Sequence, residues 1–363
     1  MLANSIVSPL GSTTAENFSM IRQGISGLKL IDDEGLVTHP FYGGFLENMD
    51  RYPSSKFEWL CQHVIEDLLA KVSVKKDRTL FILSTTKGNI SFLDEGLPDH
   101  PRIHLHETAG YLAAMYGLKN HFVVSNACIS GVMALIVAGR LLSGGRFDHV
   151  VVVGADVLSR FVVSGFESLK ALSNERCRPF DIQRKGINLG ECAAGVVLGT
   201  LNDVNDTPGV YIAGGGLSND ANHISGPSRT GEELAMAMRQ ALQEAGNQPS
   251  EIDFISAHGT ATLYNDEMEA KAIDIMNLTE KPVNSLKGYF GHTLGAAGVL
   301  ETILSAESLK QNQLVSSAGF SQLGVSKAVN VIKEPARLKM ETCLKTASGF
   351  GGCNAAIVLQ KEN

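Results

Sequence analysis

An α/β layered fold is what this sequence predicts, on three observations. Strand-like and helix-like segments alternate along most of the chain, which favours helices packed on sheets. Strands such as "HVVVVGAD" are continuous apolar runs, the pattern of strands covered on both faces. The 363 residues are 44% hydrophobic and 19% charged, enough for a large core and unlike a disordered chain.

Taken in order, "SPLGSTTAENF" carries a capping box, with Thr13 as N-cap and Glu16 as its reciprocal partner, predicting a helix near residues 14–23. Residues 26–55 read as loop-rich, with "IDDEG" and "YGG" as turn signals. "SKFEWLCQHVIEDLLAKV" has helical spacing and "RTLFILST" reads as a buried strand. The helix "HETAGYLAAMYGL", strand "HFVVSNA", helix "ISGVMALIVAGRLL" and strand "HVVVVGAD" follow. Strand "VYIAGGGLSND" restarts the pattern near 210, then a helix at 230–245 and strands "IDFISA" and "PVNSL". A helix over about 293–310 and the strand pair "CLKTAS" and "CNAAIVLQ" complete the chain.

The two halves are weakly alike. Cys128 opens a helix and "CAAGVVLGT" follows; His292 opens a helix and "CNAAIVLQ" follows at a nearly equal offset. This suggests a duplicated unit, with halves 1–205 and 206–363. The region between them has no Pro- or Ser-rich linker, so they are expected to pack as one body.

A net charge of −7 and a pI near 5.8 give no reason to expect a nucleic-acid partner. Six cysteines without a CxxC spacing, in a chain too long to need staples, fit a reducing compartment. The N-terminus lacks the basic start of a signal peptide, and the longest apolar run, "VMALIVAG", is too short to span a membrane. A soluble, cytoplasmic protein is expected.

Cys128 sits between a short strand and an apolar helix, the arrangement of a nucleophile elbow. A helix N-terminus favours thiolate, so a lowered thiol pKa is expected there. Taken alone, the stretch suits a nucleophile and a buried packing thiol alike. In the second half, "ISAHGTATLYND" ends a strand at His258, and "NSLKGYFGHTLGAAGVLE" passes Lys287 and places His292 before a helix of small residues. Gly295, Ala296, Ala297 and Gly298 should let that helix pack closely. One cysteine and two histidines, each at a strand end beside glycine, read as parts of one site.

The combination of "NACISG", "HGTAT" with "ND..E", "K...GH..GAAG" and "GFGG" resembles the β-ketoacyl synthases, condensing enzymes that work on acyl carrier protein. "RPFDIQRKGINLGECAAGVVL" at 178–198 resembles that family's stretch before the midpoint. The resemblance runs in register from "SPLG" onward. It implies a thiolase-like fold, two duplicated halves layered α-β-α-β-α. It also implies a 3-oxoacyl-carrier synthase of the elongating Cys-His-His type, performing decarboxylative Claisen condensation in fatty-acid, polyene or polyketide chain growth.

By the same resemblance Cys128 carries the acyl group, with the N–H groups of Cys128 and Phe350 as oxyanion donors. His258 and His292, as neutral imidazoles, stabilise the enolate formed when malonyl thioester loses CO2. Lys287 pairs with Glu301 behind them and sets their charge and position. Thr260 and Thr262 bond the pantetheine arm, and Phe350 gates the acyl pocket. No metal or dissociable cofactor is implied. The partners implied are an acidic acyl carrier protein, met by a basic patch without assigned residues, and a second subunit, as a homodimer or a heterodimer with a related chain-length subunit. A membrane partner is not expected.

Other readings were weighed. A zinc site of Cys128, His258 and His292 has suitable ligand types, but Lys287 argues against it. "HLHE" at 104–107 has ligand spacing but reads as a polar loop, and "GGG" at 214–216 as a turn or bulge. Cys177, Cys192 and Cys353 read as packing thiols, and His223 is given no chemistry. A cysteine thioester hydrolase would need one histidine with an orienting Asp or Asn. A thiolase would need a second catalytic cysteine, for which Cys353 is the candidate. Ala261 replaces the usual glycine of "HGTGT" and is expected to add a methyl near the pantetheine path. Cys353 stands where the family usually has threonine. The chain is expected to begin within the fold's first strand and to lack some tens of residues of the family's insertions before residue 120.

Overall fold

The computed structural model describes all residues except 34, 37–38, 48–54, 201–208, 221–225 and 363. His223 and the boundary drawn between 205 and 206 therefore lie outside the described residues.

Along the chain come β1 (Ala3–Val7), α1 (Thr14–Arg22), β2 (Lys29–Ile31), β3 (Phe41–Gly44), α2 (Lys56–Lys71) and β4 (Thr79–Ser84). Next are α3 (Leu105–Met115), β5 (Asn120–Val124), α4 (Ser130–Ser143), β6 (His149–Asp156), α5 (Arg160–Ser168), β7 (Leu189–Gly190) and β8 (Cys192–Leu198). They are followed by β9 (Val210–Asn219), α6 (Glu232–Ala245), β10 (Phe254–Ser256), α7 (Leu263–Ile275), β11 (Pro282–Asn284) and the one-turn α8 (Lys287–Phe290). Then come α9 (Ala297–Gln311), β12 (Gln313–Leu314), β13 (Asn330–Val331), β14 (Ala336–Arg337), β15 (Thr342–Ser348) and β16 (Cys353–Lys361).

One sheet has the order β1-β8-β6-β4-β5 and a second the order β13-β11-β10-β15-β16-β9. Helices α4 and α9 lie between them, and the largest apolar cluster joins both helices to both sheets. Outside the first sheet pack α2 and α3; outside the second pack α6 and α7. The result is five layers, α-β-α-β-α, the thiolase-like arrangement. A helix sandwiched between two sheets must be apolar all round, which "VMALIVAG" satisfies.

Small residues set how closely the central helices approach. A Cβ on Gly298 would lie 2.3 Å from the Val132 backbone nitrogen, and one on Gly131 2.7 Å from that of Val299. Backbone cannot yield as a side chain can. Gly298→Ala should therefore destabilise the protein by about 3 kcal/mol, the upper range for overpacking. Gly139→Ala, in α4 where a Cβ meets nothing within 4 Å, should instead stabilise by up to about 1 kcal/mol. Urea unfolding of both variants checks the pair.

The Thr13–Glu16 capping box is present at α1. Three expectations need completion or correction. The loop-rich residues 26–55 also hold strands: β2 pairs with β3, and β3 with β7 from residues 189–190, a long-range pairing that local turn signals cannot register. "HLHE" is not a polar loop, because His104 is the N-cap of α3 and His106 lies in its first turn. "GGG" is not a turn but lies within β9, where Cβ atoms at Gly214 and Gly216 would strike the Ala241 and Ala237 carbonyls of α6. The register shift opposite Val358 and Leu359 puts the anticipated bulge beside it. Among the described residues no helix is long and apolar enough to cross a membrane.

Candidate active site

Cys128 stands in the turn between β5 and α4. The side chain of Ser130 pins that turn, accepting from Asn126 N–H (2.8 Å) and donating to Ala127 C=O (2.6 Å). Ala127 has φ +44°, a left-handed conformation that costs a non-glycine residue about 1 kcal/mol. Leu294 (φ +52°), beside His292, and Ala261 (φ +62°), beside Thr260, are held in the same region. Such strain gathers where surrounding structure over-determines the backbone.

His258 follows β10, and Glu269 of α7 holds its loop by accepting from the N–H groups of His258 (2.7 Å) and Gly259 (2.6 Å). His292 follows Gly291, and its N–H donates to Asn188 C=O (2.7 Å) while its C=O accepts from Gly190 N–H (3.0 Å). The stretch "INLGE" thus seats His292 across the molecule. The two rings meet edge to face, with centroids 5.0 Å apart. A nitrogen of each ring and the Cys128 sulfur all lie within 4.8 Å of one another.

The ring tautomers follow from their partners. Lys287 Nζ, which can only donate, lies 3.3 Å from His258 Nδ1, so that nitrogen accepts. Leu294 N–H donates to His292 Nδ1 at 3.3 Å. Each neutral ring therefore carries its proton on Nε2. His292 Nε2 is buried and has no hydrogen-bond partner among the described residues, which leaves its N–H able to meet an oxygen. Burial, then the Lys287 ammonium, holds both rings well below the usual histidine range. They stay neutral at pH 7.

Lys287, expected as a support, is fully buried in α8 and donates to Glu301 Oε1 (2.8 Å) and His258 C=O (2.7 Å). Sequence reasoning missed its counterpart, Lys345 of β15, which pairs with Glu301 Oε2 at 2.6 Å. Its signal was a lone lysine in the buried strand "TCLKTAS". Asp156 was missed as well. It accepts from Thr85 Oγ1 (2.8 Å) and Gly295 N–H (2.7 Å), tying the loop after His292 to the first sheet.

Two expectations change. Burial pushes the Cys128 thiol up to about 12, raised further by Cys353 and opposed by Lys287 and the Phe350 N–H against the sulfur. The resting group is a thiol, because desolvation outweighs the helix end and the nearby cation. The Ala261 methyl, expected near the pantetheine path, is fully buried and packs with Leu28 and Cys177. Thr260 and Thr262 bond each other through their hydroxyls (2.8 Å) beside Asp266, which accepts from Thr260 N–H (2.9 Å). Phe350 is part-exposed and its ring lies 5.8 Å from Phe166. Cys353 Sγ faces Phe350 C=O (3.4 Å) rather than the histidines. Zinc-type ligands do meet at Cys128, His258 and His292, yet the Lys287 ammonium against His258 opposes any cation there.

Residues 106–204 match the model "Beta-ketoacyl synthase, N-terminal domain" and residues 210–321 the model "Beta-ketoacyl synthase, C-terminal domain". Nodulation protein E of Rhizobium leguminosarum bv. trifolii is 31% identical over 292 residues, 78% of this chain and 71% of that one. This chain belongs to the β-ketoacyl synthase family. A family member from Rhizobium meliloti, 3-oxoacyl-(acyl-carrier-protein) synthase 2, is 34% identical over 270 residues, 70% of this chain and 64% of that relative's length. Among solved structures, a ketosynthase in complex with its chain length factor from Xenorhabdus doucetiae superposes with a TM-score of 0.86 at 26% identity. That match covers 99% of this chain and 96% of the other.

Proposed function

We propose that this chain is an acyltransferase, a 3-oxoacyl-(acyl-carrier-protein) synthase that lengthens a carrier-bound acyl chain by decarboxylative Claisen condensation. The observation that carries the reading is that Nδ1 of both histidines faces a donor, which places the ring protons on Nε2 in two rings that meet Cys128. In a Cys-His hydrolase, one ring nitrogen must accept the thiol proton while the N–H of the other is held by a carboxylate or amide. Here a lysine and a backbone N–H occupy the Nδ1 positions, the opposite arrangement. Two donors suit an oxygen that gains negative charge.

In the first stage the Cys128 sulfur attacks an acyl-carrier thioester, with Phe350 N–H and Cys128 N–H as donors to the oxyanion. The proton lost by the thiol leaves on the departing carrier thiol, so the high resting thiol pKa does not block the exchange. In the second stage the C–C bond to the malonyl carboxylate breaks. CO2 departs and the electron pair becomes an enolate, its oxygen held by His258 and His292. The enolate carbon attacks the acyl-Cys128 carbonyl, and the Cys128 sulfur leaves and is reprotonated. Lys287 and Glu301 hold the rings, Thr260 and Thr262 bind the pantetheine arm, and Phe350 gates the acyl pocket with Phe166.

The division into duplicated halves, 1–205 and 206–363, is part of this reading, supported by one sheet from residues 3–198 and a second from 210–361. So are an acyl carrier protein as substrate partner and a cytoplasmic setting, which six free, buried cysteines fit. A dimer completes it, either of two copies or with a related chain-length subunit, as in the Xenorhabdus complex.

The test is the intact mass of the protein after exposure to acyl-carrier thioesters, then to malonyl carrier. A stable adduct consumed to give a 3-oxoacyl carrier two carbons longer is expected. An adduct that only hydrolyses would favour a thioester hydrolase. Because both histidines must be neutral, CO2 release should stay level as pH falls from about 7.5 to about 6.5 and decline only below that. The sign for stability is the same: the depressed histidines contribute stability above about 6.5 that is lost as pH falls through their folded values.

A further inference from the structure

Lys345 is a cation that the condensing reaction, as derived above, does not use. It sits in β15 between β10 and β16, opposite Ser256 and Ile357, and is fully buried. An apolar side chain would fill that place without desolvating a charge. Instead the ammonium forms an ion pair with Glu301 Oε2 (2.6 Å) and donates to the carbonyls of Thr346 (2.6 Å) and Ser256 (3.3 Å). Glu301 is thereby gripped at both oxygens, by Lys287 on one and Lys345 on the other. The next residue, Thr346, donates to Glu269 (3.2 Å), the carboxylate that holds the His258 loop. Two lysines and two glutamates form one charged quartet behind His258.

We propose that Lys345 is a positioning residue: by fixing Glu301 it keeps Lys287 on His258 Nδ1, so that both imidazoles present Nε2–H to the reacting oxygen. This rests on the condensing reading above. Without Lys345, Glu301 has a free oxygen and the quartet an excess negative charge. That charge favours imidazolium, or a His258 whose Nδ1–H turns to the carboxylate and whose Nε2 no longer donates. The charged and titratable groups around the two rings are Cys128 from the turn before α4, Glu269 from α7, Lys287 from α8, Glu301 from α9 and Lys345 itself. Asp156 of β6 reaches the same loop through Gly295 N–H. Lys345 also contributes to holding both histidines below their usual range.

The experiment compares wild type with Lys345→Met and Lys345→Gln, the second keeping a hydrogen-bond donor without the charge. Two rates are followed across pH: CO2 release from malonyl carrier, and alkylation of Cys128 by iodoacetamide. We expect the acid limb of CO2 release to move up by about half a pH unit or more and the rate at pH 7 to fall about tenfold, with alkylation changed less than about threefold. Acid limbs that superpose on wild type overturn the proposal, as does an equal fall in both rates. Failure of both variants to fold where wild type is folded also overturns it, assigning Lys345 to stability. A wild type that releases no CO2 sinks the condensing reading instead.

Discussion

Cys128→Ala will take up no acyl group from a carrier thioester, yet it will still release CO2 from malonyl carrier. The two halves of this expectation come from different parts of the site. Acyl transfer needs a sulfur that bonds the acyl carbon, and no other cysteine can replace it. Cys353 points at Phe350 C=O, and Cys177 donates to Lys287 C=O at 3.2 Å, each buried and with its thiol raised. Loss of the nucleophile should lower chain elongation by about 10⁴-fold or more. Decarboxylation needs only the two Nε2–H donors, which the substitution leaves in place. Intact mass and CO2 release, measured on one sample, check both halves. A Cys128→Ala protein that still acquired an acyl mass would remove Cys128 from the mechanism.

The second large effect is expected at His292. Its Nε2–H is buried with no partner among the described residues, and an unmet buried donor costs about 1–3 kcal/mol. A substrate oxygen that becomes negative relieves that cost most in the transition state, which is how a preorganised donor lowers a barrier. His292→Ala should therefore slow CO2 release by about 10²–10³-fold, the range for one such donor. Uptake of the acyl group by Cys128 should survive to a larger degree, since its oxyanion is served by backbone N–H groups. Single-turnover mass measurements separate the two stages. Equal losses in both would mean that His292 serves as the base for the thiol instead.

Much of this site was legible because its parts carry local signals. Cys128 and His258 each lie where a strand gives way to a turn of small residues, and His292 follows the one-turn α8 directly after Gly291. The Lys287–Glu301 pair brackets the glycines and alanines that let α9 approach α4. Capping at Thr13 and Glu16 needs only four consecutive residues. What the sequence determined was thus the main alternation of strands and helices, the apolar character of the central layer and the candidate groups that meet at Cys128.

The tertiary structure decided how those groups are charged and held. Lys345 looks like any strand lysine until β15 is set between β10 and β16, where Glu301 is its counter-ion. The thiol of Cys128 would be lowered by a helix end alone, yet enclosure by both halves raises it. The packing of the Ala261 methyl on Leu28 and Cys177, from distant parts of the chain, is likewise invisible in "HGTAT" alone. Strands β2 and β3 form because residues 189–190 offer them an edge. Spacing and composition report what neighbours along the chain can do. Desolvation, ion pairing and tautomer depend on neighbours brought together only by folding, and these decide how one cysteine and two histidines are charged and held.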